Sequence, residues 1–173
     1  MTYDELDSGF HFAGAPLTVT DAHVVLLGGL IGNLHPSHLS DEYSTRVGPF
    51  KRRVAHGELV HALMVTGFAD VLRATSQGQL GGSYTLEAPV FVGDTIYTEI
   101  TLETKRLTKS DKRGFARFAM GTFNQDGVRV AHGTADFLVA REPLEIYSPA
   151  TPAGGAHGST DGAAATPKRR AVS

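Results

Sequence analysis

The chain has 173 residues, of which 41% are hydrophobic and 20% charged, with a formal net charge of −2. That length suffices for one domain with a real core, and the charge balance gives no global electrostatic case for nucleic acid or an anionic membrane. Cysteine is absent, which excludes disulfides, thiolate nucleophiles and cysteine-ligated zinc or iron–sulfur centres.

The opening MTYDELDSGF is acidic and polar, unlike a signal peptide, and the most apolar stretch, HVVLLGGLIG, is too short to span a bilayer. A cytoplasmic protein is expected. GFHF predicts a short strand. TVTDAHVVLLGGLIG predicts a helix capped by Thr18 or Thr20, with Gly28 and Gly29 weakening its last turn. LSDEYSTRVG predicts one or two short turns, with Ser40 and Asp41 as caps. HGELVHALMVTGFADVLRATSQG is the clearest helix. Val60, Leu63, Met64, Gly67, Phe68, Val71 and Leu72 recur at three- and four-residue spacing, and Gly78 is the expected stop.

Strands dominate from Ser83. SYTLEAPVFV leads to a turn at Gly93-Asp94, and TIYTEITLETKRLT puts Ile96, Ile100 and Leu102 on one side. GFARFAMGTFNQ and VRVAHGTADFLVA are joined by Asp-Gly, a hairpin signal. Helices followed by antiparallel strands predict an α+β fold, with one long apolar helix wrapped by a twisted antiparallel sheet. Composition shifts after Arg141. Residues 1–141 are expected to form the domain. Residues 142–173, rich in Ala, Gly and Pro and ending near a basic KRR, are expected to be a largely disordered tail.

The chemistry concentrates in GNLHPSHLSDEY, residues 32 to 43. His35 and His38 form H-x-x-H, but Pro36 between them disfavours a shared helix face, and zinc needs a third protein ligand. No metal site is therefore expected. Neither GxGxxG nor a P-loop is present, so the glycines build no phosphate cradle. Lys51, Arg52 and Arg53 in FKRR offer cations for a phosphate or for an acidic carrier protein, solvated surface charge being the simpler reading. His11, His23, His61 and His132 have no motif support and are expected on the surface or in packing.

GNLHPSHLSDEYSTR, then RVAHGELVHALM, then LEAPVFVGDTI resemble, in that order, the MaoC-like hydratases and dehydratases of the hot-dog fold. That family includes the (R)-specific enoyl-CoA hydratases. The resemblance runs from about Thr18 to Val139. It implies a single hot-dog domain that pairs into a homodimer, sheet edge to sheet edge. It implies hydro-lyase chemistry on an enoyl- or 3-hydroxyacyl thioester of CoA or a carrier protein, without an organic cofactor. His38 matches the family's catalytic histidine, and Asn33 stands where the family has its catalytic aspartate. His35 falls where Asn is common, and is a candidate second proton carrier. His56 and Gly57 match the step into the central helix, whose N–H groups suit the thioester oxygen. Thr66, beside Gly67, lies one residue out of register with a further polar position of the family. Val90 and Val92 are candidates for an acyl tunnel. A carboxamide cannot cycle a proton near neutral pH. A hot-dog thioesterase, or a non-catalytic thioester-binding subunit of an active homologue, is therefore the alternative.

Overall fold

The computed structural model describes residues 1–145. In chain order its elements are β1 (His11–Ala13), β2 (Leu17–Thr18), α1 (Asp21–Ile31), α2 (Pro36–Leu39) and α3 (Asp41–Arg46). After them come α4 (Gly57–Met64), α5 (Gly67–Val71), β3 (Ser76–Leu86), β4 (Thr95–Leu107), β5 (Arg113–Asn124) and β6 (Arg129–Ala140). The expected tail lies outside the described residues, apart from its first four positions. Among the described residues no helix is long and apolar enough to cross a membrane.

The strands form one antiparallel sheet in the order β1-β4-β5-β6-β3, with β2 also on β4. Alternation builds its inner face. Ile96, Thr98 and Ile100 of β4, Ala116, Phe118 and Met120 of β5, and Ala135, Phe137 and Val139 of β6 are buried, with more exposed residues between them. The β5–β6 hairpin turns at Asp126-Gly127, where Gly127 has φ 73°, a conformation that favours glycine.

Leu59, Val60, Met64, Phe68, Val71 and Leu72 of the helical segment join this face in one core. Phe118 stands edge-on to Phe68, their ring centroids 5.1 Å apart, and Phe68 tilts against Phe137 at 4.6 Å. Such aromatic pairs add about 0.5–1.5 kcal/mol each beyond area burial. A helix held in the curve of one antiparallel sheet is the hot-dog fold.

The expected single long helix is two short ones. Between α4 and α5 the backbone tightens to three-residue bonds, Thr66 N–H to the Leu63 carbonyl and Phe68 N–H to that of Val65. The Thr66 hydroxyl also donates to the Leu63 carbonyl, at 2.8 Å, a local bond that competes with regular helix. Gly78 is not a helix stop either. It sits in β3 with φ 144°, at a register shift against β6, the behaviour of a bulge glycine. The first helix begins after Thr20 rather than Thr18 and runs through Gly28 and Gly29 to a left-handed cap at Gly32.

Candidate active site

The polar loop folds as two short helices meeting at Ser40. Pro36 opens α2 with its φ already suited to helix, and the His35 Nδ1 caps it by accepting the Ser37 N–H at 3.2 Å. Ser40 caps α3, its hydroxyl accepting the Tyr43 N–H at 3.1 Å. The segment before α4 is tied alongside. Val54 donates its N–H to the Ser37 carbonyl at 3.2 Å, and Ala55 donates to that of Val90 at 2.7 Å.

These ties place three histidines in a row. His38 donates from Nδ1 to the Val54 carbonyl at 2.8 Å. A carbonyl only accepts, so the hydrogen sits on Nδ1, and Nε2 is left to take a proton. The His38 ring stacks on that of His56, with centroids 3.9 Å apart and planes at 29°. His56 is fully buried, and its Nε2 donates to the Asn33 carbonyl at 2.9 Å. The His35 ring meets His38 edge-on at 6.2 Å and Tyr43 at 5.7 Å.

Burial pushes the His38 imidazole below its ordinary value of 6.5, against the bond to Val54, which raises it. His56 and His35 lower it further, and Glu58 raises it. At neutral pH the ring is therefore a base ready to accept a proton, and its conjugate acid gives that proton up readily.

Gly57 is the first helical residue of α4. It lines an apolar cleft of about 350 Å³ with Phe50, Val54, Val60, Leu86 and Val90. Among the described residues no backbone carbonyl accepts the Gly57 N–H, as expected of the first turn of a helix. The cleft and the loop share a wall: Val54 lines the cleft and holds His38 through its carbonyl.

Several expectations are corrected. Asn33 joins the cluster through its backbone carbonyl, which accepts from His56 Nε2. His35 is exposed, with its Nδ1 committed to Ser37, so it acts first as a helix cap. His56, expected at the substrate, has no exposed surface to offer one. Thr66 lines a different cavity, with Gly14, Leu63, Asp70 and Tyr97, so this chain does not bring it to the histidines. Val92 lies beside Arg52 and Arg53, away from the cleft that Val90 lines. Arg53 bridges Asp21 at 2.5 Å and Asp41 at 2.6 Å, so it is not a free phosphate ligand, whereas Arg52 is exposed and lies over the Phe91 ring. Ser40 caps a helix as expected, whereas Asp41 is the first residue inside it.

Two contributors carry no side-chain signal in sequence. Val54 acts through its carbonyl. Gly28 acts through a missing Cβ, which would stand 3.1 Å from the Asn33 carbonyl oxygen and 3.2 Å from the His56 ring. Among the described residues no cluster of three metal-ligating side chains occurs.

Comparison with known proteins adds the family. The model of the MaoC like domain matches residues 10–119. A curated (R)-specific enoyl-CoA hydratase from Rhodospirillum rubrum is 28% identical over 90 residues, 49% of this chain and 58% of that protein. The chain thus spans under two thirds of that relative. Another protein of that name, from Aeromonas caviae, is 27% identical over 114 residues, 66% of this chain and 81% of that one. The solved structure of an unliganded R-hydratase from Pseudomonas aeruginosa superposes with a TM-score of 0.70 at 30% identity. It covers 83% of this chain and 88% of that one.

Proposed function

The chain belongs to the MaoC-like domain family, and from that membership we propose that it is a hydro-lyase acting on an enoyl or 3-hydroxyacyl thioester. The observation that carries this reading is the place of Val54, which holds His38 by its carbonyl and lines the apolar cleft onto which the N-terminus of α4 opens at Gly57.

Hydration then proceeds in two proton steps. His38 Nε2 takes a proton from water as the oxygen adds to the β-carbon. The π-electrons move toward the carbonyl and leave an enolate on the thioester oxygen, which accepts the Gly57 N–H. The His38 imidazolium returns its proton to the α-carbon, and water has been added across the double bond. Such proton transfers contribute roughly 10²–10⁴-fold. The helix N-terminus supplies donors and dipole where negative charge develops. The acyl chain lies along Val60, Leu86 and Val90. Neither proton step calls for an organic cofactor or a metal.

The active form is a homodimer. In support, β3 closes the described sheet at one end and exposes Leu80, Tyr84 and Leu86 along its length. A long free edge with apolar side chains favours pairing with another strand.

Hydration of crotonyl-CoA, followed as loss of the conjugated thioester's ultraviolet absorbance, tests the reading. Turnover that disappears in His38→Gln is expected. Release of free CoA thiol without hydration would select a thioesterase instead. No turnover alone, with activity restored by a homologue that carries the aspartate, would select a binding subunit.

A further inference from the structure

We infer that His56 is a positioning residue, a buried clamp that holds the Asn33 carbonyl with one ring edge and seats His38 on its face. Its effect on turnover rests on the hydro-lyase reading; the clamp itself does not.

The ring's surroundings are hard to explain as packing. His56 is fully buried, and its Nδ1 has no hydrogen-bond partner among the described residues. An unpaired buried acceptor is a penalty that leucine, filling similar space, would avoid. The opposite edge and the face account for the imidazole. Nε2 reaches across the fold to the Asn33 carbonyl at 2.9 Å. The face lies against His38 at 3.9 Å between centroids.

The tautomer follows. Since the Asn33 carbonyl accepts only, the His56 hydrogen sits on Nε2 and points away from His38. His56 therefore has no proton to pass to the ring it supports. Its work is geometric: it holds the start of the loop and sets the plane of the ring at the loop's end. Gly28 completes the clamp, because the place of its missing Cβ abuts both the His56 ring and the Asn33 carbonyl. The charged and titratable groups acting on His38 are His56 stacked on it, His35 edge-on, and Glu58 in the first turn of α4.

The test compares His56→Leu with His56→Gln, whose amide N–H can reach the Asn33 carbonyl. Loss of the clamp in His56→Leu is expected to lower kcat by about 10–10²-fold, the cost of a small misplacement of a reacting group, with KM changed far less. His56→Gln is expected to recover most of that kcat. The split between kcat and KM and the rescue by His56→Gln are readouts that a merely structural role would not move. Gly28→Ala, which crowds the clamp without touching its chemistry, is expected to lower kcat in the same direction.

A folded His56→Leu with wild-type kcat, or a folded His56→Gln that recovers none of the loss, would overturn the inference. If the wild type turns over no enoyl thioester, the proposed function fails, and the clamp is read separately by nitrogen-15 NMR of the His38 ring, whose shifts report whether its hydrogen stays on Nδ1 against the Val54 carbonyl. A single tautomer kept in His56→Gln and lost to a mixture in His56→Leu supports it there. The same tautomer in all three proteins overturns it.

Discussion

Gly57→Ala separates the chemistry of the site from the stability of the fold. A Cβ at residue 57 would stand 2.7 Å from the Leu86 Cδ1. That atom ends a flexible side chain 47% exposed, so a rotamer adjustment relieves the contact at about 0.5–1.5 kcal/mol. Alanine in place of a helical glycine returns roughly 0.5–1 kcal/mol. The two nearly cancel, and the melting temperature should hardly move. Activity should respond differently. The new methyl stands where the thioester oxygen must approach the Gly57 N–H. Loss of one such donor costs about 2.7–4 kcal/mol, or 10²–10³ in kcat. The N–H is crowded rather than removed, so the lower end, about 10²-fold, is expected. Thermal unfolding and crotonyl-CoA hydration on the same preparation provide both readings. A stable variant with unreduced kcat would refute the assignment of Gly57 as donor.

Asn33→Asp adds a second proton carrier in an isosteric side chain, and a gain toward about 10²-fold in kcat is expected in the hydration assay; an unchanged rate would mean that His38 needs no partner. Arg53→Met cuts the link from α1 to α3 through Asp21 and Asp41, whose side chains are 61% and 82% exposed and remain hydrated. The loss should be about 1 kcal/mol in urea unfolding and shrink with added salt. The His38 imidazole is depressed below 6.5 in the folded chain, so between that lowered value and 6.5 the unfolded chain binds more protons. Stability is then expected to fall as pH drops through that window, and His38→Gln should remove this share of the slope in pH-dependent melting.

β5, β6 and the first half of β4 were legible because their buried residues alternate and the β5–β6 hairpin carries Asp-Gly, both local signals. The end of the helical region was not. Val71 and Leu72 complete a helical stripe, but Arg73 to Gly78 contain nothing that separates a fraying helix from the start of an edge strand. Pairing with β6 decides it, and Gly78 becomes a bulge rather than a cap. In the site, His38 was legible from the loop that carries it. Val54 and Gly28 were not, since a carbonyl and an absent Cβ leave no trace in residue type.

The same distinction bears on Asn33. Its link to His56 runs through the backbone, and any residue at that position makes it. Replacing an acid by an amide there changes the number of proton carriers without moving the loop. His35 keeps its Nδ1 on Ser37 and its ring exposed, and in the proposed scheme both proton steps fall to His38. A site with one carrier has a kcat/KM profile with a single acid limb, governed by His38, and no base limb from a paired acid. Asn33→Asp should add a second titration to that profile even if the gain in rate is small. A profile that stays single in the variant would place the carboxylate outside the reacting geometry, and with it the correspondence between Asn33 and the family's aspartate.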